Sequence, residues 1–378
     1  MKNEIQARAR EWLPRFEEIS EYLFSHPELG GQEEKACQYL TSFLEKNGFR
    51  IEYPYGSQST AFRAEFGHGN PVVAFLAEYD ALPGYGEAHD QIAHACGHNW
   101  IAASSAGAAI VLSSFLSQED VKIVVIGTPA EESIGGKCVL VQEGAFCDVD
   151  AVFQMHLAAR TVLMPKIQAM DSIEFEFFGK ASHAALAPEE GINALDAVIS
   201  LFNGLNQMRA QLSKEDSIMG IITNGGSACN IIPEYASCQF YVRSCSRKRV
   251  DALVKRMISL ADGASLMTGA KMSYRFFEQS FDSLVADRTL SQYMKENLEL
   301  LGVHEFQEME EWGGSSDIGN VSQVVPCTYV ELDTGAVPSV FAHEEAFLDL
   351  VHGPKAQKSL YIAICAMAMS AWDFLDKK

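Results

Sequence analysis

Apolar residues in the first part of the chain recur with helical spacing over roughly 3–24 and 32–47, which predicts two amphipathic helices. Short apolar runs near 49–53, 60–66 and 71–77 read as strands, the last continuing as VVAFLAEYD to place Asp80 at a strand's C-terminal end. Residues 99–117 are uncharged and rich in Ala, Gly and Ser, which predicts a buried helix able to pack closely on a sheet. VKIVVIGTP then reads as another buried strand, followed by a Gly-rich turn, a helix over 135–144 and a strand over 151–155. Alternating helices and apolar strands predict a mostly parallel sheet flanked by helices on both faces. In such sheets ligands bind beyond the C-terminal ends of the strands.

The middle of the chain follows a different rule. SIEFEFFGK (172–180) alternates with period two, and a helical pattern at 191–212 follows. Strands at 217–223 and 235–243, a helix at 247–268 and a strand at 271–277 come next. The order βαββαβ predicts an α+β, ferredoxin-like module. A helix at 286–301, short strands near 305–309 and 326–330, and a closing helix at 354–376 return to the first style. The expected organisation is an α/β domain of residues 1–167 and 284–378, interrupted by a smaller domain at 168–283.

Composition narrows the function classes. A length of 378 residues suits about two domains, and 48% apolar with 21% charged residues fits an ordinary globular chain. Fifty acidic against 29 basic residues give a net charge of −21, which repels phosphate backbones and argues against nucleic acid as a partner. Nine irregularly spaced cysteines argue against a disulfide framework and for a reducing, cytoplasmic setting. The opening MKNEIQARAREWLPRFEE has no apolar core and carries Glu4, Glu11, Glu17 and Glu18, so a helix is expected there rather than a signal or transit peptide. The uncharged stretches 99–118 and 359–372 are expected to be buried helices and not membrane spans.

Four segments carry candidate chemistry. HACGH (94–98) offers His94, Cys96 and His98 on a loop before the buried helix, and imidazole and thiolate are ligands for zinc and its neighbours. GTPAEES (127–133) places Glu131 and Glu132 directly after a buried strand; adjacent residues point different ways, so one carboxylate can serve a metal and the other water. His156 in FQMHL ends a strand, and His343 in VFAHEEAF precedes the closing helix. Taken singly, each has a bland alternative: a stray loop histidine, two solvated glutamates, a satisfied core histidine. Together they lie at strand C-termini of one domain and supply enough donors for two metals about 3.5–4 Å apart, with Asp80 placed to orient a ligating histidine.

These residues resemble the dinuclear-metal family of aminoacylase and glutamate carboxypeptidase. The likeness is to its amidohydrolase branch of aminobenzoyl-glutamate hydrolases, auxin-conjugate hydrolases and a β-alanyl dipeptidase. It rests on AEYDALPG (77–84), HACGHN (94–99), GTPAEES and MHL (155–157). It also rests on GKASHAALAPEEGINALDAV (179–198), GGSACNIIPEYA (225–236) and GGSSDIGNVSQVVP (313–326), and so covers nearly the whole chain.

The resemblance implies a phosphorylase/hydrolase-like catalytic domain with an inserted dimerisation and lid domain. It implies two divalent metal ions per chain, zinc or manganese with cobalt also acceptable, held by Cys96, His98, Glu132, His156 and His343. Glu131 matches the general base, which takes a proton from the attacking water and passes it to the leaving amine, and Asp80 matches the orienting acid. His183 matches a histidine that steadies the oxyanion in a partner protomer's site, which implies a homodimer through 168–283. Asn230 and Arg243 match positions that hold the substrate's amide and carboxylate. The sequence departs from the common pattern in GYGEAHDQIAHACGH, where His89 and His94 are expected to shape the pocket mouth. The expected function is hydrolysis of the amide bond of a small N-acyl amino acid, aminobenzoyl-glutamate-like conjugate or dipeptide. The alternatives are a silent binding module of the same fold, which should lack a ligand or the base, and a chain active only beside a second, related one.

Overall fold

The structure is a computed structural model that describes residues 1–309 and 312–377. Two helices open the chain, α1 (Lys2–Ser25) and α2 (Glu34–Lys46). The Glu28 carboxylate accepts from the amides of Lys35 and Ala36 at 3.2 and 3.0 Å, supplying partners that the first turn of α2 lacks. Strands β1 (Arg50–Glu52), β2 (Phe62–Phe66) and β3 (Val72–Ala77) come next, then a hairpin of β4 (Leu82–Tyr85) and β5 (Gln91–Ala93). Helix α3 (His98–Ser113), β6 (Lys122–Gly127), α4 (Gly136–Gln142) and β7 (Ala151–Ala158) follow.

The middle segment contains β8 (Ala169–Phe178), β9 (Ser182–His183), α5 (Ala194–Arg209), β10 (Ser217–Asn224), β11 (Ile231–Ile232), β12 (Tyr235–Ser244), α6 (Arg247–Thr268) and β13 (Lys271–Phe276). The chain closes through α7 (Arg288–Leu300), α8 (Ile318–Ser322), β14 (Cys327–Asp333) and α9 (Gly353–Asp376).

Two compact units result. Of the described residues, one holds 1–165, 284–309 and 317–377, and the other holds 166–283 and 312–316. The first unit is built on a six-stranded sheet in the order β1-β2-β6-β3-β7-β14. The strands β6, β3, β7 and β14 run parallel, and β1 and β2 add an antiparallel edge. Buried on both faces, β3 reads VVAFLA without a polar residue, as a covered parallel strand should.

Helix α3 is buried from His98 to Leu112, which is why its sequence lacks a polar face. Its Gly107 admits close approach: a Cβ there would lie 2.8 Å from Ile364 of α9 and 3.2 Å from Phe16 of α1. Helix α9 is long and apolar enough to cross a membrane by composition, yet it packs against α1, α3 and α7 in the core of this unit.

The second unit is a four-stranded antiparallel sheet in the order β10-β12-β8-β13, with α5 and α6 packed on it around Phe175, Phe177, Phe240 and Leu201. One expected element is missing. No strand forms at 305–309; Gln307 makes a single backbone bond to Thr161 (2.8 Å) and no ladder. Strand β7 also runs further than expected, so His156 lies inside it rather than at its end.

Candidate metal centre

The C-terminal ends of β6 and β7, the N-terminus of α3 and the loop after β14 bring donors from four chain segments together. Gly97, at φ +82°, turns the chain into α3 between Cys96 and His98, a conformation glycine adopts freely. Cys96 Sγ lies 3.4 Å from His156 Nε2. His343 Nε2 lies 3.1 Å from Glu132 Oε1, and the His343 amide donates to Ala95 O at 2.8 Å, tying the two loops. Cys96 with His98 and His156, Cys96 with Glu132 and His343, and His98 with Glu131 and Glu132 form three groups. In each group the donor atoms lie within 4.8 Å of one another.

Asp80 is buried and bridges two of these residues. Its Oδ1 takes a hydrogen bond from His98 Nδ1 at 2.7 Å, and its Oδ2 accepts from the Glu132 amide at 2.9 Å. Occupying Nδ1 in this way directs Nε2 into the cluster, where it is buried with no hydrogen-bond partner among the described residues. His156 is arranged likewise, its Nδ1 donating to Leu157 O at 2.6 Å.

The ionisable groups of the site shift one another strongly. Burial opposes charge on His98, but Asp80 and Cys96 outweigh it and push the His98 pKa well above its ordinary value. Burial, then the charges of Glu132, Asp317 and Glu78, push the Glu131 carboxyl well up. Burial and Glu132 likewise push the Cys96 thiol up. For Glu132 burial acts upward, but the hydrogen bond with His343 and the charge of His98 hold it at about 2. Burial lowers the His156 pKa. An orphaned imidazole nitrogen facing a thiol and carboxylates is a donor set that fits borderline divalent ions.

Several buried charges around this cluster were not anticipated. Lys137 on α4 is fully buried, with Nζ 2.5 Å from Glu78 Oε1 and 2.6 Å from Asp317 Oδ1. Gln154 Nε2 donates to the same Glu78 oxygen at 2.7 Å, leaving Glu78 Oε2 3.6 Å from His98 Nε2. Burial acts to raise both carboxyls. Lys137 and His98 bring Glu78 down to about 2, whereas burial and the charge of Glu78 leave Asp317 at about 6 despite the ammonium. The available signal was a lone lysine in the otherwise uncharged helix GKCVLVQ. Glu33 is also buried, between Thr60 and the Ala130 amide. His94 is not at a pocket mouth: it is 1% exposed, and burial with the charge of His98 holds its ring at about 3. His89 is exposed on the β4–β5 hairpin.

The remaining predicted residues belong to the second unit. His183 pairs with Ile231 in the β9–β11 ladder, its Nδ1 accepting from the Ala185 amide at 3.2 Å. Asn230 O accepts from the Ala184 amide at 3.0 Å, beside His183. Arg243 on β12 lies over the Tyr241 ring, and its Nε is 3.3 Å from Met170 Sδ. Among the described residues no carboxylate pairs with Arg243.

Residues 74–364 match the peptidase family M20/M25/M40. The sequence is 34% identical to a Xaa-Arg dipeptidase of Mus musculus over 100% of this chain and 89% of that protein. It is 32% identical to one of the subunits of the p-aminobenzoyl-glutamate hydrolase of Escherichia coli K12, over 78% of this chain and 64% of the relative. A crystal structure of a dinuclear metal-binding peptidase from Bacillus subtilis superposes with a TM-score of 0.67 at 23% identity, over 95% of this chain and 99% of that one.

Proposed function

The chain belongs to peptidase family M20/M25/M40, and from that premise we propose that it is a dinuclear metal-dependent hydrolase of small dipeptides or N-acyl amino acids. Its action on amide bonds follows from the family and its relatives. The observation that carries the metal reading is the convergence of donors on the unpartnered His98 Nε2. The mouse relative's name makes dipeptides ending in arginine the first substrate class to try.

Cys96, His98, Glu132, His156 and His343 would hold two divalent ions, zinc or manganese with cobalt also fitting, which when bound would supply Lewis-acid charge and make water more acidic. Glu131 takes a proton from the attacking water onto its carboxylate and delivers it to the departing amine nitrogen. Asp80 keeps the His98 ring and the Glu132 backbone in place from one carboxylate. His183 donates to the oxygen that gains charge at the cleaved carbonyl. Asn230 holds the substrate amide, and Arg243 holds its carboxylate by a charge-assisted pair.

The oligomer we propose is a homodimer through 168–283, in which His183 of one protomer would serve the other. The support is β10, an unpaired sheet edge on which Met219, Ile221 and Ile222 are 48, 64 and 46% exposed, an unusual surface for a free strand. A cytoplasmic setting is supported by nine cysteines among which the described residues show no disulfide.

The test combines elemental analysis with release of free amine. Purified protein reconstituted with zinc or manganese should hold about two ions per chain and cleave at least one among Xaa-Arg dipeptides, other dipeptides, N-acetyl amino acids and aminobenzoyl-glutamate. Cys96→Ser should lose metal. No stoichiometric metal after reconstitution would refute the ligand set. Full metal with no amine released from any class would refute hydrolysis by the single chain.

A further inference from the structure

Glu131 and Glu132 are neighbours in sequence, yet the reading above gives them different tasks. Their divergence begins one residue earlier. Ala130 has φ +59°, the left-handed region that a Cβ disfavours and that alanine rarely enters without support. The Ala130 amide donates to Glu33 Oε1 at 2.8 Å. The other Glu33 oxygen accepts from Thr60 Oγ1 at 2.8 Å, and the whole side chain is buried at 0% exposure. Gly30, three residues before Glu33, presses on the same turn: a Cβ there would lie 3.0 Å from Ala130 Cα and 2.3 Å from Ser133 Oγ. The Ala130 carbonyl is held in turn by the Gly135 amide at 3.0 Å. Glu33 touches none of the candidate donors, so it has no role in the cluster itself.

We propose that Glu33 is a positioning residue for Glu131: it clamps the Ala130 amide, fixes the left-handed turn, and thereby sets where the base carboxylate stands. The inference rests on the reading of Glu131 as the base. A buried acid with one oxygen on the amide of a strained turn is what such a clamp requires. Misplacing a reacting group by about 1 Å lowers a rate on the order of a hundredfold.

The test uses the full chain. Glu33→Met fills the volume and accepts nothing from the amide. Glu33→Gln still accepts from Ala130 while its NH2 donates to Thr60. In metal-loaded protein, Glu33→Met should lower kcat on the order of a hundredfold with KM within about threefold, and Glu33→Gln should restore it to within about tenfold of wild type. In metal-free protein, hydrogen exchange of a peptide spanning Ala130 should be at least about tenfold faster in Glu33→Met than in wild type. The exchange result needs neither metal nor substrate. A wild type inert towards every amide would therefore refute the hydrolase reading while exchange still decides the clamp. Wild-type kcat in Glu33→Met, unchanged exchange at Ala130, or Glu33→Gln as impaired as Glu33→Met would each overturn the proposal. Should Glu33→Met not fold, Thr60→Val removes one of the bonds holding Glu33; slower turnover with faster Ala130 exchange supports the clamp, and no change in either overturns it.

Discussion

Replacing Lys137 by Met removes the cation that sits between two buried carboxylates. The Nζ sits at 0% exposure, 2.5 Å from Glu78 and 2.6 Å from Asp317. After substitution Glu78 keeps Gln154 Nε2 and Asp317 keeps the backbone amide of residue 137, at 2.7 and 2.8 Å. Removing one member of a buried pair typically costs about 3–5 kcal/mol. In a unit of this size each kcal/mol moves the melting temperature by roughly 2–4 °C. The expected drop at pH 8 is therefore at least about 6 °C in the first unit's transition. Scanning calorimetry in chelator checks it, because metal binding then adds nothing to the folded state.

The pH dependence tests the cause. Asp317 has a folded pKa raised to about 6, above its ordinary carboxylate value. A raised carboxyl stabilises the fold below its unfolded pKa and loses that contribution as pH rises through the folded one. Without the ammonium the Asp317 pKa rises further, so the variant goes on losing stability at pH values where the wild type has levelled. Its deficit should shrink from pH 8 towards pH 6 by up to about 1.4 kcal/mol per pH unit. A variant melting within about 1 °C of wild type at pH 8 would refute the buried-pair reasoning. So would a deficit equal at pH 6 and pH 8, because protonation of Asp317 would then have no part in it.

Glu131→Gln should keep its metal, measured by elemental analysis, and lose hydrolysis by roughly 10²–10⁴; full activity would remove it as the base. In the second unit, the buried Asp216 carboxylate is met by Arg249 at 2.6 Å and Ser244 Oγ at 2.7 Å. Burial acts to raise it, but these bonds hold its pKa at about 2. A depressed carboxyl stabilises above its unfolded pKa and loses that contribution as pH falls through the folded value. With its arginine partner 40% exposed and the pair therefore screened by water, Asp216 should contribute on the order of 1 kcal/mol at neutral pH, lost between about pH 4 and pH 2. Asp216→Asn should flatten that limb in circular-dichroism melts. Ile221→Lys puts a charge on the exposed β10 edge and should halve the particle mass seen by light scattering; a wild-type monomer would refute the dimer instead.

Local patterns exposed much of this molecule. The apolar run VVAFLA is a covered strand in any sheet, and the Ala/Ser/Gly helix 98–113 has no solvated face to offer. Residues 305–309 read as a short strand in the sequence, but a strand exists only by pairing, and among the described residues no neighbour completes a ladder there. HACGH and PAEE stood out because ligands on a loop and at a strand end are clustered in sequence. Lys137, Glu78, Gln154 and Asp317 did not, because the partners of each lie far along the chain. In isolation a glutamate after a strand or a lysine on a helix reads as solvated. Only packing turns such residues into a buried network.

The glutamate pair carries that argument to the chemistry. PAEE identifies two carboxylates but not their directions. Those directions come from backbone amides held by distant acids: Glu33 on the Ala130 amide and Asp80 on the Glu132 amide. The two clamps alternate with the residues they orient, one before Glu131 and one after it, and both acids are buried. Asp80 was legible because it follows closely on the apolar strand β3, at the edge of the sheet where ligands gather. Glu33 was not: it lies in the polar run GGQEEK at the start of α2, where Glu34 beside it is exposed and looks the same in sequence. The difference is tertiary. Thr60 and the Ala130 amide hold one glutamate in the interior and leave its neighbour in water.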